Sequence, residues 1–184
     1  MFQSNLTIKS IGEALRLAIS KDLIREEDTL VMFHDLSFLK DRVHHLKSVF
    51  PVQTLHAVAT KANALKKVLE FLRPLGAGAE AASLAELKLA MKAGYPAEKI
   101  VFDSPVKTWK ELEFALIAGV HINIDSLKEL ERVAILREKI ISGSSLGIRI
   151  NPQVGVGTIA ESSVAGEYSK FGIPIKTKRR ELEE

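Results

Sequence analysis

Short β-branched runs alternate with longer stretches of helical periodicity along most of this 184-residue chain, and no other feature limits its possible folds as strongly. Residues 7–25 set Ile8, Ile11, Leu15, Ala18, Ile19 and Leu23 at the spacing of an amphipathic helix. Residues 30–34 read as a strand, and residues 36–50 as a helix stopped by Pro51. A second strand over 54–59 leads to a helix over 62–75. Gly76-Ala77-Gly78 then turns the chain into a short third strand near 79–82. Ser83 has the place of a helix N-cap, with Glu86 as its capping-box partner, and Gly94 closes that helix. The same order repeats: strand 99–102, helix 108–118 closed by Gly119, strand 120–124, a helix capped by Ser126 and running to 140, and a sixth strand at 147–150.

Strands separated by helices of ten or more residues indicate βαβ units and a parallel sheet. Right-handed crossovers curl such a series toward a barrel or an open doubly wound sheet, and periodicity does not choose between them. At roughly 150 residues per domain the chain makes little more than one unit, yet a complete (β/α)8 barrel takes about 250 residues. After Asn151-Pro152 the texture changes. Residues 153–169 are rich in Gly, Ser and Thr without sustained periodicity, a long loop at the carboxyl end of a strand, where functional loops of such proteins lie. Residues 176–184 are charged and polar, with no apolar face, and are expected to fray.

Composition removes several classes of function. With 46% hydrophobic and 27% charged residues the chain can bury a core. Without cysteine it has no disulfides, thiolate metal sites or thiol nucleophile. The net charge of +3 comes from 26 basic and 23 acidic residues, well mixed, and the doublets Lys66-Lys67 and Arg179-Arg180 read as solvated helix faces, so no nucleic-acid partner is expected. Met1-Phe2-Gln3-Ser4-Asn5 does not begin a signal peptide. No run approaches the roughly 18 apolar residues of a membrane span. A soluble, cytoplasmic protein without a membrane partner is expected. No phosphate loop of the ATPase type occurs, and Gly76-Ala77-Gly78 precedes a strand where a dinucleotide fingerprint would follow one. His44 and His45 point to different faces of a helix, His34 reads as a partly buried strand end and His121 as a surface residue, so no metal site is expected.

Val58-Ala59-Thr60-Lys61-Ala62-Asn63 carries more chemistry. A lysine directly after an apolar strand and before a helix stands at the mouth of a parallel sheet. It is either simply exposed there or, if partly buried, a neutral amine able to form a Schiff base with a carbonyl compound.

This segment resembles the Tyr-Ala-Val-Lys-Ala-Asn motif of the pyridoxal-phosphate decarboxylases of alanine racemase fold, which act on diaminopimelate, ornithine, arginine and carboxynorspermidine. The resemblance continues in order through Gly76-Ala77-Gly78-Ala79-Glu80-Ala81-Ala82-Ser83-Leu84-Ala85-Glu86 and Ala93-Gly94-Tyr95-Pro96-Ala97-Glu98-Lys99-Ile100. It then takes in Ile124-Asp125-Ser126, Arg149-Ile150-Asn151-Pro152 and Ser169-Lys170-Phe171-Gly172-Ile173. The last two segments resemble the diaminopimelate branch in particular. The motifs lie within residues 28–175.

The resemblance implies an α/β fold, a partial (β/α)8 TIM-type barrel of about six parallel strands, like the N-terminal domain of alanine racemase. It divides the chain into an N-terminal helical segment (1–27), an incomplete cofactor-binding barrel (28–175) and a polar tail (176–184). Lys61 is then the catalytic lysine that carries pyridoxal 5′-phosphate. Glu80 stands where the family usually has Asp and orients or charge-balances that amine; otherwise it is an acid leading into a helix. Arg149 matches an arginine that approaches the cofactor ring, where a guanidinium can bond the phenolic oxygen; otherwise it is a strand-end ion pair. Lys170 matches a lysine near the substrate and dimer contact; otherwise it is a surface residue. The implied reaction is decarboxylation of a basic or diamino acid, most like diaminopimelate in lysine biosynthesis, by a homodimer. The family's stacking histidine, glycine-rich phosphate loop and pyridine-pairing acid lie beyond its Ser-Lys-Phe-Gly-Ile motif, and no counterpart occurs in this sequence. The alternative expectation is thus a non-catalytic portion or remnant of such an enzyme acting as a binding module.

Overall fold

Side-chain caps start most of the helices. Thr7, Asp35, Ser83, Thr108 and Ser126 each accept a hydrogen bond from the backbone N–H three residues on, a contribution of about 1 kcal/mol per helix. The computed structural model describes residues 7–154, 165–166 and 169–183. The capped helices are α1 (Ile8–Ser20), α2 (Leu36–Val49), α4 (Leu84–Lys92), α5 (Trp109–Ala118) and α6 (Leu127–Arg137), with α3 (Lys66–Leu72) lying between α2 and α4 in the chain. Thr108 and Glu111 form a complete capping box. Ser83 and Glu86 do not, because Glu86 Oε2 accepts from the N–H of Ala82 (2.8 Å) one residue earlier.

Five parallel strands, β1 (Ala57–Ala59), β2 (Gly78–Ala81), β3 (Ile100–Phe102), β4 (His121–Ile124) and β5 (Leu146–Ile148), form one sheet in chain order. A doubly wound sheet reverses its strand order at a switch point, whereas a barrel does not; this order is that of a barrel wall. Register sorts the side chains by face. Ala79, Ala81, Ile100, Phe102, Ile122 and Ile124 turn toward the helices and are almost wholly buried with Leu87, Ala90, Leu112, Leu116 and Val133. Glu80, Val101, His121, Asn123 and Gly147 share the opposite, concave face. A smaller cluster of Val43, Val68, Leu72 and Ala77 joins α2 to α3.

Five expectations are corrected. Residues 30–34 form no strand: they do not pair with β1, which is the edge of the sheet among the described residues. Five strands, not six, therefore make the main sheet. The helix expected over 62–75 begins only at Lys66, after a single 3-10 turn at Thr60–Ala62. The strand expected at 147–150 divides at Arg149: its N–H donates to Ile124 O in β4 (2.8 Å), while its carbonyl accepts from Ile173 N (2.8 Å). There the chain passes into a small sheet of β6 (Ile150–Asn151) and β7 (Ile173–Pro174). Gly172 (φ +75°) allows this approach, because a Cβ would meet Arg149 O and Asn151 N at 2.9 Å. The charged terminal segment, α7 (Ile175–Glu183), is helical on either side of a kink at Lys178, with Lys178–Glu181 and Arg179–Glu183 pairs along its exposed side. Among the described residues no helix is long and apolar enough to cross a membrane.

Under the carboxyl end of the sheet lies an ion pair that sequence patterning does not reveal. Lys107 is fully buried, and its Nζ donates to Glu129 Oε2 (2.9 Å), Ser104 O (2.7 Å) and Asn123 O (2.6 Å). Glu129 also accepts from the N–H of Lys107 (3.2 Å) and of Asp125 (2.8 Å). All three ammonium donors are thus satisfied. Lys107→Met leaves Glu129 charged and unpaired in the core, and is expected to cost about 3–5 kcal/mol in urea denaturation. Lys107→Met with Glu129→Leu is expected to recover part of that loss.

Candidate functional site

The carboxyl ends of parallel strands carry the loops on which α/β barrels build their sites. Here the 3-10 turn after β1 presents Lys61, and β2 presents Glu80, whose strand register pairs it with Ala59. Asp103 follows β3, Asp125 follows β4 and Arg149 follows β5. Phe171 arrives from the segment before β7, whose Gly172 N–H donates to Asp125 Oδ2 (3.1 Å).

Lys61 is exposed. Glu80 is half-buried, and burial pushes its carboxyl above the usual carboxylate range. Lys61 opposes that rise, Asp103 and Glu86 add to it, and Arg149 opposes it. Glu80 therefore lies in the fields of both Lys61 and Arg149. Its Oε1 is buried without a hydrogen-bond partner, and so is Oγ1 of Thr60, the neighbour of Lys61. Buried polar atoms are normally paired, so the unpartnered oxygen of Glu80, in the field of Lys61, marks a place for a polar ligand.

Arg149 lies 3.2 Å from Asp125 Oδ1 and 3.8 Å from Asp103 Oδ2. Its guanidinium carbon stands 4.6 Å from the centroid of the Phe171 ring, a cation–π distance. Lys170 is exposed, with its amine 5.2 Å from the same ring. Of the four residues singled out in the sequence, Lys61, Glu80 and Arg149 share the rim, and Lys170 adjoins it through Phe171. Asp103, Asp125 and Phe171 received no role in the sequence reading, although Asp125 and Phe171 lie inside matched motifs. The available signal was parity: Asp103, Asp125 and Arg149 continue the concave-facing positions of their strands. His121 is not the surface residue it was read to be. It is half-buried on β4 and hydrogen-bonded to Asn123 (2.8 Å) and Ser145 (2.8 Å).

An amine, an acid and an ion-paired guanidinium gathered at the carboxyl ends of sequential parallel strands define a barrel site suited to a carbonyl-bearing, electron-rich ligand. Residues 36–184 match the family model described as pyridoxal-dependent decarboxylase, pyridoxal binding domain, and the chain belongs to that family. It is 34% identical to diaminopimelate decarboxylase of Aquifex aeolicus over 164 residues, 89% of this chain and 39% of that protein. With diaminopimelate decarboxylase of Bacteroides thetaiotaomicron it is 32% identical over 166 residues, 88% of this chain and 43% of that protein. Its fold superposes on the crystal structure of diaminopimelate decarboxylase from Helicobacter pylori complexed with L-lysine with a TM-score of 0.76, at 28% identity over 88% of this chain and 41% of that one. The chain thus spans about two-fifths of the length of these relatives.

The residues present fit the carbonyl end of pyridoxal phosphate: an exposed amine, an adjacent acid with an unpartnered oxygen, and a guanidinium held on the same rim. Raising the pKa of Glu80 on folding also has a consequence for stability. The folded chain holds that proton more tightly than the unfolded chain, so the contribution is present below the ordinary glutamate range and is lost as pH rises through the raised value. Glu80→Gln removes this penalty. Without cofactor, its melting temperature is expected to match wild type at pH 4 and to exceed it at pH 8 in paired thermal scans.

Proposed function

We propose that this chain is the cofactor-binding portion of a pyridoxal-phosphate-dependent amino-acid decarboxylase acting on diaminopimelate. The observation that carries the proposal is the arrangement of Lys61 in the turn after β1, Glu80 on β2 in register with Ala59, and Arg149 after β5, all toward the carboxyl ends of one parallel sheet. Lys61 supplies the amine for the carbonyl carbon. Glu80, whose carboxyl is made more basic by burial, is the acid that lies in its field. Arg149, held by Asp103 and Asp125 and backed by Phe171, presents a fixed cation for the phenolic oxygen. Lys170 stands at the edge of the site, at the substrate and dimer contact. When bound, pyridoxal phosphate supplies an electron-accepting ring for the pair left behind as a carboxylate departs as carbon dioxide.

Diaminopimelate is preferred as substrate because the relatives named above carry that activity, and because loss of one of its carboxylates yields lysine, the molecule in the Helicobacter pylori complex. The proposal includes a cytoplasmic homodimer. A second reading, a cofactor-binding module without turnover of its own, is favoured by β1 and β5, which end the main sheet among the described residues.

Titration with pyridoxal phosphate tests the site. Wild type is expected to develop a saturable visible absorbance that Lys61→Ala does not show, and Arg149→Met is expected to weaken binding about tenfold, the worth of one charge-assisted hydrogen bond. Indistinguishable spectra for wild type and Lys61→Ala would contradict the proposal. Carbon dioxide release from diaminopimelate by the loaded chain separates the enzyme from the binding module.

A further inference from the structure

The concave face carries a polar connection that the proposed function does not use. Ser145, His121, Asn123, Asp103 and Arg149 all lie on that face, and each meets the next. Ser145 Oγ is 2.8 Å from His121 Nδ1, and His121 Nε2 is 2.8 Å from Asn123 Oδ1. Asn123 Nδ2 donates to Asp103 Oδ1 at 3.1 Å, and Asp103 Oδ2 lies 3.8 Å from Arg149 Nη1. Four loops or strands of the barrel wall are joined in this way, from the amino end of β4 to the rim.

Donor bookkeeping fixes the direction of the connection. An ionised carboxylate only accepts, so the amide group of Asn123 must face Asp103. Its oxygen then faces His121, whose Nε2 must carry a hydrogen and donate. Nδ1 bonds the Ser145 hydroxyl, which can serve it as either donor or acceptor. His121 therefore holds the carboxamide of Asn123 in the one orientation that gives Asp103 a donor. The backbone opposite leaves room for this contact. Gly147 pairs with Asn123 across β4 and β5, and a Cβ there would strike Asn123 Oδ1 and approach His121 Nε2 to 3.0 Å.

We propose that His121 is a positioning residue for Arg149, acting through Asn123 and Asp103, with Gly147 providing the space that the connection requires. The consequence for cofactor binding rests on the reading of Arg149 given above. Without the imidazole donor the carboxamide loses one of the two bonds that set its torsion. Asp103 loses its fixed donor and redistributes toward Arg149, which then shifts between Asp103 and Asp125.

The test uses the 15N-labelled full chain, with the Arg149 Nε–H and Asn123 carboxamide resonances identified by Arg149→Met and Asn123→Ala. His121→Leu and Gly147→Ala are each expected to move the Arg149 resonance. His121→Gln, which can still donate to Asn123, is expected to leave it near the wild-type position. Gly147→Ala keeps the imidazole and decides the matter if His121→Leu does not fold. In pyridoxal phosphate titrations His121→Leu is expected to weaken binding about three- to tenfold, the range of one hydrogen bond, and to have no further effect when combined with Arg149→Met. An Arg149 resonance that His121→Leu and Gly147→Ala leave in place overturns the inference. So does an affinity loss that adds in full to that of Arg149→Met. A wild-type chain that takes up no pyridoxal phosphate overturns the proposed function instead, and the two failures are distinguishable because the resonance comparison needs no cofactor.

Discussion

Arg149 joins the two sheets and the rim of the site in a single residue. Its N–H completes the ladder to β4 and its carbonyl begins the one to β7, so the chain changes sheets at this position. Its side chain meanwhile reaches Asp103, Asp125 and the Phe171 ring. Backbone hydrogen bonds fix the Cα, and the two acids and the ring then have only the side-chain torsions left to settle. A guanidinium anchored at both levels is preorganised, so a ligand that meets it pays little for ordering it.

One of the acids that hold Arg149, Asp125, is itself held from below. Glu129 accepts from the N–H of Asp125, while Lys107 donates to the carbonyl of Asn123, and the two are paired in the core. A buried ion pair is weak evidence for added stability, since hydrophobic residues of similar size often do as well. Its geometric effect is clearer here. Three main-chain groups around the ends of β3 and β4 are tied to one pair of side chains, and that tie sets the stage on which Asp103, Asn123 and Asp125 meet Arg149.

The helix-facing strands were legible as apolar runs because burial of alternate residues is a local property of sequence. Helix starts at Thr108 and Ser126 were legible for the same reason, since a cap and the N–H that donates to it lie within one turn. Residues 30–34 look as strand-like as any, but a strand exists only with a neighbour to pair with, and the sheet ends at β1. Nothing in the sequence singles out Lys107, because two of its partners lie on β4 and α6, brought to it by packing that no local pattern encodes. His121 shows the same limit: its bond to Asn123 is local, but its contact with Ser145 comes from a segment 24 residues away. Lys61, Glu80 and Arg149 were found through motif resemblance, and only the strand register shows that they share a rim.

That Lys61 is the residue joined to the cofactor's carbonyl is the central claim, and reductive trapping tests it most directly. The chain is mixed with pyridoxal phosphate, reduced with borohydride, digested and mapped by mass. The account predicts one saturable pyridoxyl label on the peptide containing Lys61. Labels spread over exposed lysines such as Lys66, Lys67 and Lys170, with none enriched at Lys61, would contradict it.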